Sequence, residues 1–151
     1  MIRSSADPRC TIRLAVAADA GRIAVLAGQL GYPSTADHVL RQLGRLQTSP
    51  EHAVFVAEAS EGLVVGWVHV HAHHFLAHDP HAEIGGLVVD ENFRGAGAGR
   101  LLMQQAEHWA REQGYRDVVL RSNVIRERAH KFYESLDYTV TKTQQHFRKT
   151  L

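Results

Sequence analysis

The spacing of apolar and polar positions changes period several times along the chain, and each change marks an element. "TIRLAV" (residues 11–16) alternates and predicts a short opening strand. Asp19 then stands where a helix cap belongs. Ile23, Leu26, Ala27 and Leu30 recur at helical spacing, which predicts a helix to about Gln29. "GYPS" (31–34) breaks it, and Val39, Leu40, Leu43 and Leu46 mark a second helix. "HAVFVAEAS" (52–60), a Glu61-Gly62 turn and "LVVGWVHVHAH" (63–73) predict a β-hairpin, and "HAEIGGLVVD" (81–90) a further strand.

After a glycine-rich stretch, Leu102, Ala106, Trp109 and Ala110 give the buried side of a long helix ending near Gly114. "RDVVLRS" (116–122) predicts a strand, and Ala129, Phe132, Tyr133 and Leu136 form an i, i+3, i+4, i+7 stripe on another helix. The alternating "YTVTKTQQHFRKTL" (138–151) predicts one or two closing strands. The order is that of an α/β protein: a mixed sheet with helices on its faces. No repeat, low-complexity tract or linker interrupts it, so residues 1–151 are expected to form one domain.

Composition narrows the classes. The chain has 151 residues, 44% apolar and 22% charged, which suits one globular domain with a sizeable core. No apolar run approaches the ~20 residues of a membrane span, and "MIRSSADPRC" lacks the apolar core of a secretory signal. No membrane partner and a cytoplasmic location are expected. The one cysteine, Cys10, leaves no internal disulfide and no cysteine-based zinc site.

The net charge of +1 is unevenly spread. Residues 1–93 carry six Lys/Arg against ten Asp/Glu, residues 94–151 eleven against six. The basic charges are scattered among apolar residues without interleaved aromatics, so nucleic acid is not the expected partner. A small polyanion suits the pattern better.

"RGAGAGR" (94–100) sits at a strand-to-helix junction. A Walker loop needs Lys-Ser/Thr after its last glycine, and this chain has Arg100-Leu101. A dinucleotide fingerprint needs glycine at position 100. The third reading is a pyrophosphate cradle, in which helix N-terminal amides without helical partners meet an anion, flanked by Arg94 and Arg100. A plain capping turn needs only one glycine.

The segment Arg94-Gly95-Ala96-Gly97-Ala98-Gly99 resembles the Arg/Gln-x-x-Gly-x-Gly/Ala motif of the GNAT superfamily of acetyl-CoA-dependent N-acyltransferases, and it follows "LVVDENF" as that motif follows the family's fourth strand. "AHKFYESLDY" (129–138) is similar to the family's A-x-x-x-Y-x-x-x-G-[FY] segment. The resemblance covers nearly the whole chain and is most specific over residues 83–138. It implies a mostly antiparallel sheet of six to seven strands with about four helices. It also implies a coenzyme A pyrophosphate on the amides of Gly95, Gly97 and Gly99 with their neighbours Ala96, Ala98 and Arg100, and pantetheine paired along Leu87, Val88 and Val89. A homodimer joined through the C-terminal strands is implied as well.

Direct acetyl transfer needs a base for the amine, a polarised thioester carbonyl and a proton for the thiolate, but no nucleophile on the enzyme, so Cys10 has no part in it. Glu83 lies in "AEIGG", where family members often place a catalytic glutamate, and partial desolvation among apolar neighbours would suit it to act as general base. Solvation on an exposed strand face is the alternative. Gly85-Gly86 suggests a bulge or a close backbone approach, near the point where GNAT sheets splay to admit acetyl-CoA. A free amide around Leu87 would then polarise the thioester oxygen. Tyr133 belongs to an apolar helix stripe, which makes it a core residue. The resemblance also puts it in the slot of the tyrosine that protonates the thiolate. Asn123 would bond pantetheine or cap the following helix. Asp137 stands where the family has glycine, at a left-handed helix end that aspartate tolerates.

Histidines crowd "HVHAHHFLAHDPHAE" (69–83). Alternation puts His69, His71 and His73 on one strand face, with His81 near Glu83 on the next strand. A relay to Glu83, a metal site and an exposed edge all fit. Three residues along one strand are too extended to clasp an ion unaided, and no metal is expected. His71, His73 and His81 are candidate acceptor contacts, as is Tyr32 in the lid that the resemblance implies over residues 30–46, while His74 and His78 read as edge residues. The expected acceptor is a small primary amine of aminoglycoside, polyamine or aminoalkylphosphonate type, the last from a resemblance of "SNVIRERAHKFYESLDY" and the His-rich strand to that acetyltransferase subgroup. A protein amine, or a non-catalytic acyl-CoA sensor or assembly module, is the alternative.

Overall fold

The computed structural model describes residues 10–151. Among them a single sheet runs in chain order through β1 (Cys10–Leu14), β2 (His52–Ala59), β3 (Val64–His73), β4 (His81–Val89) and β5 (Val118–Leu120). Successive strands from β1 to β4 are antiparallel, and β5 lies parallel to β4. The helices are α1 (Ala20–Leu30), α2 (Ala36–Gln47), α3 (Ala98–Glu112) and α4 (Glu127–Ser135). Contacts divide the chain after residue 120, with the strands and α1, α2 and α3 in the first unit and α4 in the second.

Alternation gives β3 two distinct faces. On one, a side chain at Gly66 would press on Leu102 of α3 at 3.1 Å, which places α3 against that side together with Val68 and Val70. On the other, the Trp67 indole N–H donates to the Ile23 carbonyl at 3.2 Å, so α1 covers that side. Ile23, Leu26, Leu43, Val56 and Val88 form its buried core, with Leu30, Val39 and Trp67 packed around them. The core stops at Trp67. Further along the same face β3 presents His69, His71 and His73.

A bulge sets the phase of β4. His69 pairs with Gly86, but the next pair is Val70 with Ile84, leaving Gly85 unmatched. Strict alternation back from Val88 and Gly86 would have put Ile84 and Ala82 on the α1 face. The extra residue gives that face to Glu83 and His81 instead, because one inserted residue inverts every side chain beyond it. Glycine is required there: a Cβ on Gly85 would lie 2.7 Å from the His69 ring, and one on Gly86 2.8 Å from Trp67.

Five expectations are corrected. The sheet has five strands among the described residues, not six to seven. Residues 139–151 form no strand, and Val140 and Phe147 are exposed. That segment has alternation but too few apolar residues to bury a face, and propensity alone does not hold a strand without packing. "RDVVLRS" contributes only Val118–Leu120, which pair with residues 82–84 and no further. Asp19 occupies the cap position of α1 without capping it. Its carboxylate binds the Arg13 guanidinium at 2.8 and 2.9 Å and accepts from the Val16 amide at 2.8 Å. Asn123, between β5 and α4, does not cap α4: its side chain accepts from the Ile125 amide at 3.2 Å.

Candidate active site

The C-terminal end of β4 leads into the glycine stretch. Asp90, buried, receives Arg22 at 2.9 Å and the Asn92 amide at 3.1 Å, which pins this end of the strand to α1. The Asn92 amide, with Arg22 and Gln29 assisting, holds its carboxyl below the usual carboxylate range against the cost of burial. The backbone then turns through Gly95 (φ 81°) and Gly97 (φ 88°), both left-handed, where glycine costs least. Gly97 caps α3, and no hydrogen bond within the described chain claims the amides of Gly97, Ala98, Gly99 and Arg100. Nothing lies within 4 Å of a side chain imagined at Gly95 or Gly97. A cavity of about 760 Å³ adjoins the turn, lined in part by Phe93, Arg94, Gly95, Ala96 and Ala98. Bare amides at the positive end of a fifteen-residue helix, beside open space, fit a diphosphate.

Beyond Ile84, β4 loses its β5 neighbour while still paired with β3 through Val89. Residues 85–89, Leu87, Val88 and Val89 among them, therefore have an open edge on that side. Backbone groups there are available to an extended ligand in the way a sheet edge takes an added strand.

At the N-terminal end of β4 the site is made of side chains. Glu83, buried, faces His73 across the strand pair, with Nδ1 2.6 Å from Oε2. His81 Nε2 lies 3.8 Å from the same oxygen. That is too long for a hydrogen bond, and this buried nitrogen has no hydrogen-bond partner among the described residues. Burial pushes the His81 imidazole below its usual range, against the pull of Glu83.

From this corner the rings continue as a ladder. Phe75 stacks on His73 at 4.3 Å, and His71 follows at 6.5 Å. His71 stacks on His52 at 5.3 Å, and His52 Nδ1 lies 3.0 Å from His69 Nε2. Burial, reinforced by the like charges of His71 and His52, drives His69 down to about 4, so it is neutral at pH 7. Burial also lowers His52. His74 and His78 are exposed, the first bonded to Glu51 at 2.9 Å. Tyr32, just after α1, is 69% exposed.

His52 escaped the sequence reading because it lies in a different strand from the crowded segment. Its signal is register: an antiparallel hairpin centred on Glu61-Gly62 puts His52 opposite His71, as observed. Arg22 and Asp90 escaped because nothing local marks an ion pair 68 residues apart.

In the second unit, α4 carries Ala129, Phe132, Tyr133 and Leu136 on its half-buried side. Burial raises the Tyr133 phenol above its usual range, with Arg126 opposing. The Tyr138 amide donates to the Tyr133 carbonyl and the Asp137 amide to that of Glu134, both at 3.0 Å, with Asp137 left-handed (φ 69°). This is a Schellman end, and it explains why aspartate can replace the glycine of the resembled motif.

Residues 23–138 match the acetyltransferase (GNAT) family, and the chain belongs to that family. It is therefore an N-acetyltransferase whose acyl donor is acetyl-CoA. It is similar to the aminoglycoside N(6')-acetyltransferase type 1 of Stenotrophomonas maltophilia, 32% identical over 145 residues that cover 93% of this chain and 94% of the relative. N-acetylaspartate synthetase of Rattus norvegicus is 29% identical over 119 residues, 78% of this chain but 39% of that protein. Among solved structures, an aminoglycoside antibiotic 6'-N-acetyltransferase from Acinetobacter baumannii superposes with a TM-score of 0.82 at 18% identity, covering 94% of this chain and 99% of that one. Glucosamine-6-phosphate N-acetyltransferase from Arabidopsis thaliana gives 0.79 at 20% identity, covering 92% and 97%. These structures share the fold.

Proposed function

We propose that the chain moves an acetyl group from acetyl-CoA to a primary amine of an aminoglycoside-type acceptor, with Glu83 as general base and Tyr133 as general acid. The observation that carries this reading is the buried Glu83 carboxylate held against His73 at 2.6 Å, at the edge of a ring-lined face. The 32% identity to an aminoglycoside acetyltransferase along almost its full length favours that acceptor over a polyamine or an aminoalkylphosphonate.

In this reading the amides of residues 95–100, with Arg94 and Arg100, hold the diphosphate, and the open edge at Leu87, Val88 and Val89 holds pantetheine. Glu83 receives the amine proton, directly or through water. The amine nitrogen bonds to the thioester carbon, the carbon–sulfur bond breaks, and Tyr133 supplies the proton that the sulfur takes up. Burial of the phenol keeps that proton in place until a thiolate demands it. His71, His73, His81 and Tyr32 border the acceptor, and Asn123 is assigned to pantetheine. Residues 1–151 act as one domain, and pairing of two copies through the C-terminal segment is the proposed assembly.

The test is thiol release from acetyl-CoA with a panel of amines. Turnover with an aminoglycoside bearing a free 6'-amine, exceeding that with polyamines and aminoalkylphosphonates, is expected. Tight acetyl-CoA binding without turnover on any amine would replace the enzyme with a sensor.

A further inference from the structure

The corner of β3 and β4 presents a problem that acetyl transfer leaves unsolved. His81 Nε2 is buried, is aimed at the Glu83 carboxylate, and stops 3.8 Å short of it with no hydrogen-bond partner among the described residues. A buried polar atom left unpaired is costly, so such an atom generally marks a missing occupant. Its neighbours define what that occupant is. His73 Nδ1 lies 2.6 Å from Oε2, and the three donor atoms of His73, His81 and Glu83 all fall within 4.8 Å of one another.

Two imidazoles and a carboxylate are a ligand set for zinc-type ions. With bonds of about 2.0–2.2 Å, ligands on a tetrahedral ion sit about 3.4 Å apart. The two observed separations from Oε2, 2.6 and 3.8 Å, bracket that spacing, and no separation within the triad exceeds 4.8 Å, so the rings must rotate to close on an ion. The clasp is possible because the ligands come from two strands: His73 pairs directly with His81, and the Gly85 bulge brings Glu83 onto their face. A single extended strand could not have done this.

We propose that His73, His81 and Glu83 form a binding site for one divalent transition-metal ion of the zinc type, and that an ion held there takes the Glu83 carboxylate out of use as a base. The first half stands on geometry alone, and the second rests on the base assignment made above. Binding requires the His73 Nδ1 hydrogen to move to Nε2 or to leave to solvent. The ion then holds the lone pairs that would otherwise receive the amine proton. Water or an acceptor amine would complete the ion's coordination.

The test begins with calorimetric titration of the full chain with zinc chloride in the absence of acetyl-CoA. One ion per chain at low micromolar affinity is expected. Glu83→Gln and His81→Ala should each weaken it about tenfold or more, while the paired change His74→Ala and His78→Ala, outside the triad, should leave it unaltered. Millimolar binding only, or undiminished affinity in His81→Ala, overturns the site. X-ray absorption on the zinc-loaded wild type provides a check independent of whether the variants fold. Two imidazole nitrogens and a carboxylate oxygen are expected, and an all-oxygen shell overturns the site. In the thiol-release assay zinc should inhibit at the concentration at which it binds, with recovery on chelation. Binding without inhibition overturns the second half. Binding by a chain that acetylates no amine would retain the site and remove the base assignment.

Discussion

The two ends of β4 solve different problems by different means. At its C-terminal end the site is backbone: left-handed glycines, helix amides without partners, and a strand edge that β5 leaves open. At its N-terminal end the site is side chain: Glu83, His73 and His81, continued by the rings of His71, His52 and His69. In the proposed function, backbone amides would recognise what every acetyl-CoA molecule carries, and side chains would distinguish one amine from another and move its proton. The nine residues of β4 would then separate the invariable half of the reaction from the selective half.

The comparison makes the two ends separately breakable. The largest effect is expected from Glu83→Gln, which should lower kcat by about 100-fold or more with the KM for acetyl-CoA unchanged. Steady-state kinetics checks this, and a matching rise in KM would mean that the ends are not separable. Gly97→Val should do the reverse. A β-branched residue at φ 88° is strained and its side chain enters the space beside the bare amides. The expected outcome is a rise of about tenfold or more in the KM for acetyl-CoA, with a smaller change in kcat.

Gly85→Val sharpens the boundary between the ends. Its Cβ would collide with the His69 ring at 2.7 Å, so the bulge must shift. The expected result is a loss of about 1–3 kcal/mol in denaturant unfolding and a lowered kcat, with acetyl-CoA affinity retained in the folded fraction.

The smallest effect is on pH stability. His69 is held near 4 when folded, against about 6.5 when unfolded. The unfolded chain therefore takes up the proton first as pH falls, and stability declines from about pH 6.5 down through about pH 4. Between pH 7 and 5 the loss should be on the order of 1–2 kcal/mol. His69→Gln should flatten that slope in melting experiments, and an unaltered slope would remove His69 as its source.

The same division governs what could be read from the sequence. The turn into α3 was legible because it is local: Gly95 and Gly97 are left-handed just before the helix, and Gly99 lies in its first turn. The α1 and α2 stripes and the β2–β3 hairpin were legible from periodicity. The Gly85 bulge was legible as a possibility, but its consequence was not, since the face of Glu83 depends on which residue is left unpaired. His52 joined the ladder only through register. The closing strands failed because residues 139–151 alternate without enough apolar surface to bury. The Arg22–Asp90 pair is a product of tertiary folding with no local trace.

The central claim is that Glu83 is the base that deprotonates an aminoglycoside-type amine. The most direct measurement is kcat/KM for such an acceptor across pH, in wild type and in Glu83→Gln, with acetyl-CoA saturating. A wild-type rise with pH that flattens in the variant is the predicted result. An identical rise in both would contradict it.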